Sequence, residues 1–177
     1  MAACVASLLR LAKEILLIDP HFGPENGRHR RPLEAFLVVA LEQRHGEPPT
    51  RVEIHTSEKS SVTFFMSESQ RQLPDIVPEG MRIRLVRWRQ KDGGEKLHNR
   101  YILTDIGGVK FEVRLDDSDG ADGQTEGVAL LGSEEYQLRL AQYGGPEPAF
   151  DFVDELIIEG KHLLRGKFGG TRSNSLG

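Results

Sequence analysis

The sequence predicts an α/β fold, a mixed, mainly parallel sheet flanked by helices. Two observations carry this. Short apolar runs alternate with amphipathic stretches through the first half of the chain, with Pro- and Gly-rich breaks between them. Parallel neighbours in a sheet also need a long crossover, which an intervening helix supplies. With 177 residues the chain suffices for one domain with a real core.

The elements follow in order. Val5, Leu8, Leu9 and Ala12 fall on one helical stripe, and Arg10 and Lys13 follow the apolar residues, the wrong order for a secretory leader. Glu14–Asp19 is an apolar run closed by Asp19-Pro20, as a buried strand ends. Pro32 opens a helix over Leu33–Gln43, which Gly46 and Pro48-Pro49 close. Arg51–Thr56 alternates as a strand, and Ser67 with Gln70 forms a capping box for a helix reaching Leu73. Met81–Gln90, Leu97–Asp105 and Val109–Leu115 read as strands, joined by turns at Gly93-Gly94 and Gly107-Gly108. Asp116–Glu126, with five acids and no apolar pattern, reads as an exposed loop. Ser133 caps a further helix, with Glu134 and Glu135 in its first turn and Gly144 past its end. Phe150–Leu164 is helical by spacing but rich in β-branched residues. The single domain is expected to span 1–164, with 165–177 a flexible tail. The apolar start and Gly/Ser-rich end also suit a piece of a larger protein.

Lys plus Arg is 23 and Asp plus Glu is 27, a net charge of −4 that argues against a uniformly basic coat protein but permits a local basic groove. The one cysteine, Cys4, excludes an internally disulfide-stapled scaffold and points to a reducing compartment, the cytoplasm. No run approaches 18 apolar residues, so no membrane span is expected. The histidines lack metal-ligand spacing and the acidic loop lacks a calcium-hand pattern, so neither metal nor cofactor is expected.

Ligands gather beyond the carboxyl ends of strands in such sheets, which brings Asp19-Pro20-His21 and the segment containing His98 forward. Within Leu97–Asp105, side chains two apart share a strand face, so His98 and Arg100 are expected to point the same way. Imidazole can attack phosphorus and guanidinium can hold two phosphate oxygens. Asp105 has the opposite parity and joins them only if the chain turns at Ile106-Gly107-Gly108.

At these residues the chain resembles the phospholipase D superfamily, whose His-x-Lys-x4-Asp signature is matched by His98-x-Arg100-x4-Asp105. The resemblance covers roughly residues 14–117 and implies one half of that fold. It implies a metal-independent phosphodiesterase or nuclease in which His98 becomes a phosphohistidine, Arg100 binds phosphate and Asp105 supports. The sequence departs from the family: Arg100 replaces lysine, the usual Gly-Ser-x-Asn segment is absent, and one motif copy occurs. Two such histidines would then meet only across a homodimer. The chain is also similar to the phospholipase-D-like domain that follows microtubule-interacting-and-trafficking modules, through Ile18-Asp19-Pro20-His21-Phe22 and His98-Asn99-Arg100. That likeness implies a non-catalytic interaction module for anionic lipid, nucleic acid or a protein partner.

A second basic feature surrounds the motif. Arg82, Arg84, Arg87, Arg89, Lys91 and Lys96 form a strip that could track a nucleic-acid backbone, with Trp88 stacking on a base; Arg87, Arg89 and Lys96 are the expected contacts. Arg28, Arg30 and Arg31 precede the helix expected at Pro32 and would strengthen anion binding there. The competing reading places Val86 and Trp88 in the core and the arginines on a guarded sheet edge.

Overall fold

In the computed structural model, which describes residues 2–44, 46–111 and 127–164, one seven-stranded sheet organises the chain. A short 3-10 turn and α1 (Ala6–Leu11) lead into β1 (Glu14–Ile18), α2 (Gly27–Leu41), β2 (Arg51–Ser57), α3 (Val62–Gln72) and β3 (Arg82–Arg89). Then come β4 (Arg100–Thr104), β5 (Gly107–Phe111), β6 (Val128–Leu130), α4 (Ser133–Gly144) and β7 (Asp151–Glu159). The spatial order is β6-β5-β4-β1-β2-β3-β7.

The sheet is mixed, as expected, but parallel pairing is confined to β1–β2 and β2–β3. The pairs β1–β4, β3–β7, β4–β5 and β5–β6 are antiparallel, so the sheet is mainly antiparallel rather than mainly parallel. Helices link β1 to β2, β2 to β3 and β6 to β7, whereas a two-residue turn, Asp105-Ile106, joins β4 to β5.

Burial on both faces explains why the central strands read as unbroken apolar runs. Ile15 and Leu17 of β1 pack in one core with Val52, Ile54, Ile83, Leu85 and Ile102, beneath Leu9, Phe36, Leu37 and Phe65 of α1, α2 and α3. Leu16 and Ile18 join Val86, Trp88, Tyr101 and Leu103 on the other face, under Tyr143 of α4. Leu85 and Val86 thus both lie inside because β3 is covered on both sides. A β-bulge at Arg87/Trp88 shifts the β3–β7 register one step further along.

Several element boundaries move. Asn26, not Pro32, begins α2: its side chain accepts the Arg28 N–H at 3.0 Å, and Pro32 lies inside the helix. Ser61, not Ser67, caps α3. Gly132 precedes α4, and Ser133 is its first residue. Residues 151–159 form a strand, so β-branched content outweighs helical spacing there. The expected loop Asp116–Glu126, the end of the strand expected to reach Leu115, and the expected tail 165–177 lie outside the described residues. No described helix is long and apolar enough to cross a membrane.

Candidate functional site

The carboxyl ends of β1 and β2 and the amino end of β4 meet at one end of the central strands, because β4 runs antiparallel to β1 with Tyr101 opposite Ile18. Asp19, the first residue past β1, is buried and donates its backbone N–H to the His55 carbonyl at 3.0 Å. Its carboxylate accepts the His21 backbone N–H at 2.9 Å, folding Asp19-Pro20-His21 into a tight turn. Side chains from the end of β2 pin that turn down. The Ser57 hydroxyl donates to the Pro20 carbonyl, and the Thr56 hydroxyl donates to the Phe22 carbonyl at 3.1 Å.

Four basic side chains gather here from three connections and one strand. His21 comes from the β1–α2 connection, Lys59 from β2–α3, His98 from β3–β4, and Arg100 is the first residue of β4. Lys59 Nζ donates to His21 Nδ1. Arg100 Nε sits 3.3 Å from Asp19 Oδ1, an ion pair without hydrogen-bond geometry, and that Nε is buried with no hydrogen-bond partner. His21 is held below the ordinary imidazole range by partial burial first, then by the charges of Lys59, Arg100 and His98, against the opposing pull of Asp19. The Lys59 ammonium is lowered too, by burial and by Arg100, with Asp19 opposing.

His98 is exposed and precedes β4, so it and Arg100 are not two residues of one pleated face as expected. Both nevertheless lie close enough for their charges to depress His21, and neither is sealed under hydrocarbon. Asp105 is not with them. It lies at the far end of β4, about 16 Å along the strand from Arg100 at the usual rise per residue. There its Oδ1 accepts the backbone N–H groups of Lys13 at 2.8 Å and Glu14 at 3.0 Å. Partial burial would raise its carboxyl, but those backbone donors outweigh it and hold it below the usual carboxylate range. The carboxylate beside Arg100 is that of Asp19 instead.

The basic strip of β3 does not form an open track. Arg87 is 1% exposed, grips Asp154 of β7 in two hydrogen bonds of 2.8 and 2.5 Å, and stacks on Phe65 with its guanidinium carbon 4.6 Å from the ring centroid. Arg89 pairs with Glu58 at 2.7 Å, Arg82 with Glu159 at 2.7 Å, and Arg84 with both Glu53 and Glu155. Trp88 is core, not a stacking platform: its Nε1–H donates to His55 Nδ1 at 2.9 Å and the rings stack. Since that nitrogen must accept, His55 carries its proton on Nε2, 2.9 Å from Glu53 Oε2. Burial pushes this histidine down, more strongly than Glu53 pulls it up. Lys96 is exposed in the loop before His98. Arg28, Arg30 and Arg31 lie within α2 instead of a preceding loop, and Arg30 Nη1 donates to the Pro24 carbonyl at 2.8 Å. The charges acting most on His21 and Lys59 come from Asp19, His98 and Arg100, not from α2.

Lys59 is the site residue that motif reading missed. Its signal was position, two residues past a parallel strand, where the β1 turn had already drawn attention. No protein-family profile, curated protein or solved structure matches the chain. What the cluster can do chemically follows from its donors. Two cations, two imidazoles and one carboxylate make a net-positive cluster suited to an anionic group, with no described group of three or more ligand-type side chains that could hold a metal.

Proposed function

We propose that the chain is a phosphodiester-binding domain that holds one phosphate group among His21, Lys59, His98 and Arg100. The observation that carries this is Arg100, a largely buried guanidinium whose Nε lacks a hydrogen-bond partner beside Asp19. A buried donor without an acceptor is costly, and an anionic oxygen is its natural complement. The neutralised β3 arginines leave a point of recognition rather than a long electrostatic track. The resemblance to phospholipase-D-like domains points the same way, and one cysteine in the whole chain suits the cytoplasm.

The test is binding of single-stranded oligonucleotides and of vesicles with anionic headgroups across ionic strength, since either source presents the same diester. Salt-sensitive binding lost in Arg100→Ala supports the reading and names the source. Binding to neither, or binding unchanged by Arg100→Ala, overturns it.

One observation favours a second reading, metal-independent cleavage. The charge of His98 reaches His21 within one chain. Turnover of labelled DNA or RNA in EDTA, abolished by His98→Ala, supports it. Equal turnover by both proteins removes His98 from the chemistry.

A further inference from the structure

Asp19 contributes two separable things to the cluster, an acceptor and a charge. As an acceptor its Oδ1 takes the His21 backbone N–H at 2.9 Å, and the Phe22 N–H closes the same turn on the Asp19 carbonyl at 3.1 Å. An amide oxygen serves such a turn equally well, since asparagine forms the same side-chain-to-backbone turn. The charge is therefore not needed to fold the β1–α2 connection. It is also costly, because the side chain is only 10% exposed and Oδ1 faces the buried Arg100 Nε at 3.3 Å without hydrogen-bond geometry. What the charge does set is the electrostatic balance beside the open Arg100 donor. Lys59 and Arg100 bring two positive charges, and Asp19 is the only acid among the groups that act on His21 and Lys59. Above the imidazole range, two cations less one carboxylate leave a single net positive charge. A phosphodiester, with one negative charge, neutralises it. A phosphomonoester, with nearly two at neutral pH, leaves a surplus negative charge beside buried groups, where water solvates it poorly.

We propose that the Asp19 carboxylate is a specificity determinant that makes the cluster favour monoanionic phosphodiesters over dianionic phosphomonoesters. This rests on the phosphodiester reading and adds to it the group that turns away free phosphate and phosphorylated small molecules. Both ligand classes offer oxygens to the same Arg100 guanidinium, so the discrimination lies in charge. Each further negative charge on the ligand meets the fixed carboxylate at short range, while the single charge of a diester is met by the cations.

The experiment titrates the intact 15N-labelled chain at pH 8 with dimethyl phosphate and with methyl phosphate, read by amide shifts. Wild type is expected to bind the diester more tightly. In Asp19→Asn, which keeps the acceptor and removes the charge, methyl phosphate is expected to gain about tenfold relative to dimethyl phosphate. Asp19→Ser, whose hydroxyl accepts the same N–H, is expected to move the ratio likewise and stands in if the amide variant does not fold. Asp105→Asn makes the same change in net charge at the far end of β4 and is expected to leave the ratio alone. A wild-type preference for methyl phosphate, or a ratio that Asp19→Asn and Asp19→Ser both leave unchanged, overturns the role of Asp19 while diester binding stands. An equal shift in Asp105→Asn overturns it too, by tracing the effect to overall charge. If neither ligand shifts any amide of the wild-type chain, the phosphodiester reading falls and the selectivity falls with it.

Discussion

Replacing Asp105 with alanine separates architecture from chemistry. The carboxylate ties the β4–β5 turn to the start of β1 through the backbone N–H groups of Lys13 and Glu14, and Asp105 returns its own N–H to the Glu14 carbonyl at 3.3 Å. The arrangement works as a helix cap does, with one acidic side chain satisfying backbone donors that a strand start leaves open. Its removal is expected to cost about 1–2 kcal/mol, at the lower end for charged hydrogen bonds because Asp105 is exposed. For a domain of this size that is a fall in Tm of about 2–8 °C, measured by thermal unfolding at pH 7. The folded carboxyl titrates below its unfolded value, so its contribution is complete above the ordinary carboxylate range and disappears as the solution is acidified through the folded value. The gap between wild type and Asp105→Ala therefore closes as the solution is acidified below the ordinary carboxylate range. Oligonucleotide or vesicle binding by the folded variant is expected to match wild type. An unchanged Tm together with lost binding would refute this placement and return Asp105 to the phosphate site.

Three further perturbations probe the scaffold. Arg87→Met strands Asp154 opposite a buried apolar group and is expected to destabilise by about 3–5 kcal/mol, read as a lower urea midpoint; a shift under 1 kcal/mol would show the pair to be dispensable. Gly108→Ala places a methyl 2.9 Å from Leu103 Cδ2 and 3.1 Å from Tyr136 Cδ2, costing about 1–3 kcal/mol unless those side chains yield, which chemical denaturation would detect. His55 titrates lower when folded than when unfolded, so the unfolded chain binds the extra proton first and stability drops as pH falls below about 6.5. Urea midpoints from pH 7.5 to 5 should show that slope and a shallower one in His55→Gln; parallel slopes would mean the buried ring is not its source.

How much of this was legible in the amino-acid order depends on the range of the cause. The apolar runs around Leu16, Ile54 and Leu85 announce strands because burial on both faces needs nothing but local hydrophobicity. The Asp19-Pro20-His21 turn and the His98-Asn99-Arg100 segment were likewise visible, as was their position beside one end of a sheet. Pro32 misled because proline suits a helix start, whereas Asn26 supplies a better cap six residues earlier. The fate of the β3 arginines was hidden, since their carboxylate partners on β7 lie 67 to 77 residues away and no local pattern records such a pairing. Spacing brought Asp105 to the motif, but an extended strand carries a residue five positions on to its opposite end.

The rungs of arginine and carboxylate between β3 and β7 bear on how the molecule assembles. Three charged pairs, Arg82–Glu159, Arg84–Glu155 and Arg87–Asp154, sit at successive heights along two strands that are remote in the chain. Sliding β7 by one residue would break the Arg82–Glu159 and Arg87–Asp154 alignments and turn the inward apolar side chains of β7, Leu156 and Ile158, to the other face. Misaligned docking is therefore rejected twice, by charge and by greasy contact. Closing a loop of that length carries an entropic cost, and added salt weakens the exposed pairs, Arg82–Glu159 and Arg84–Glu155, while the buried Arg87–Asp154 pair is screened much less.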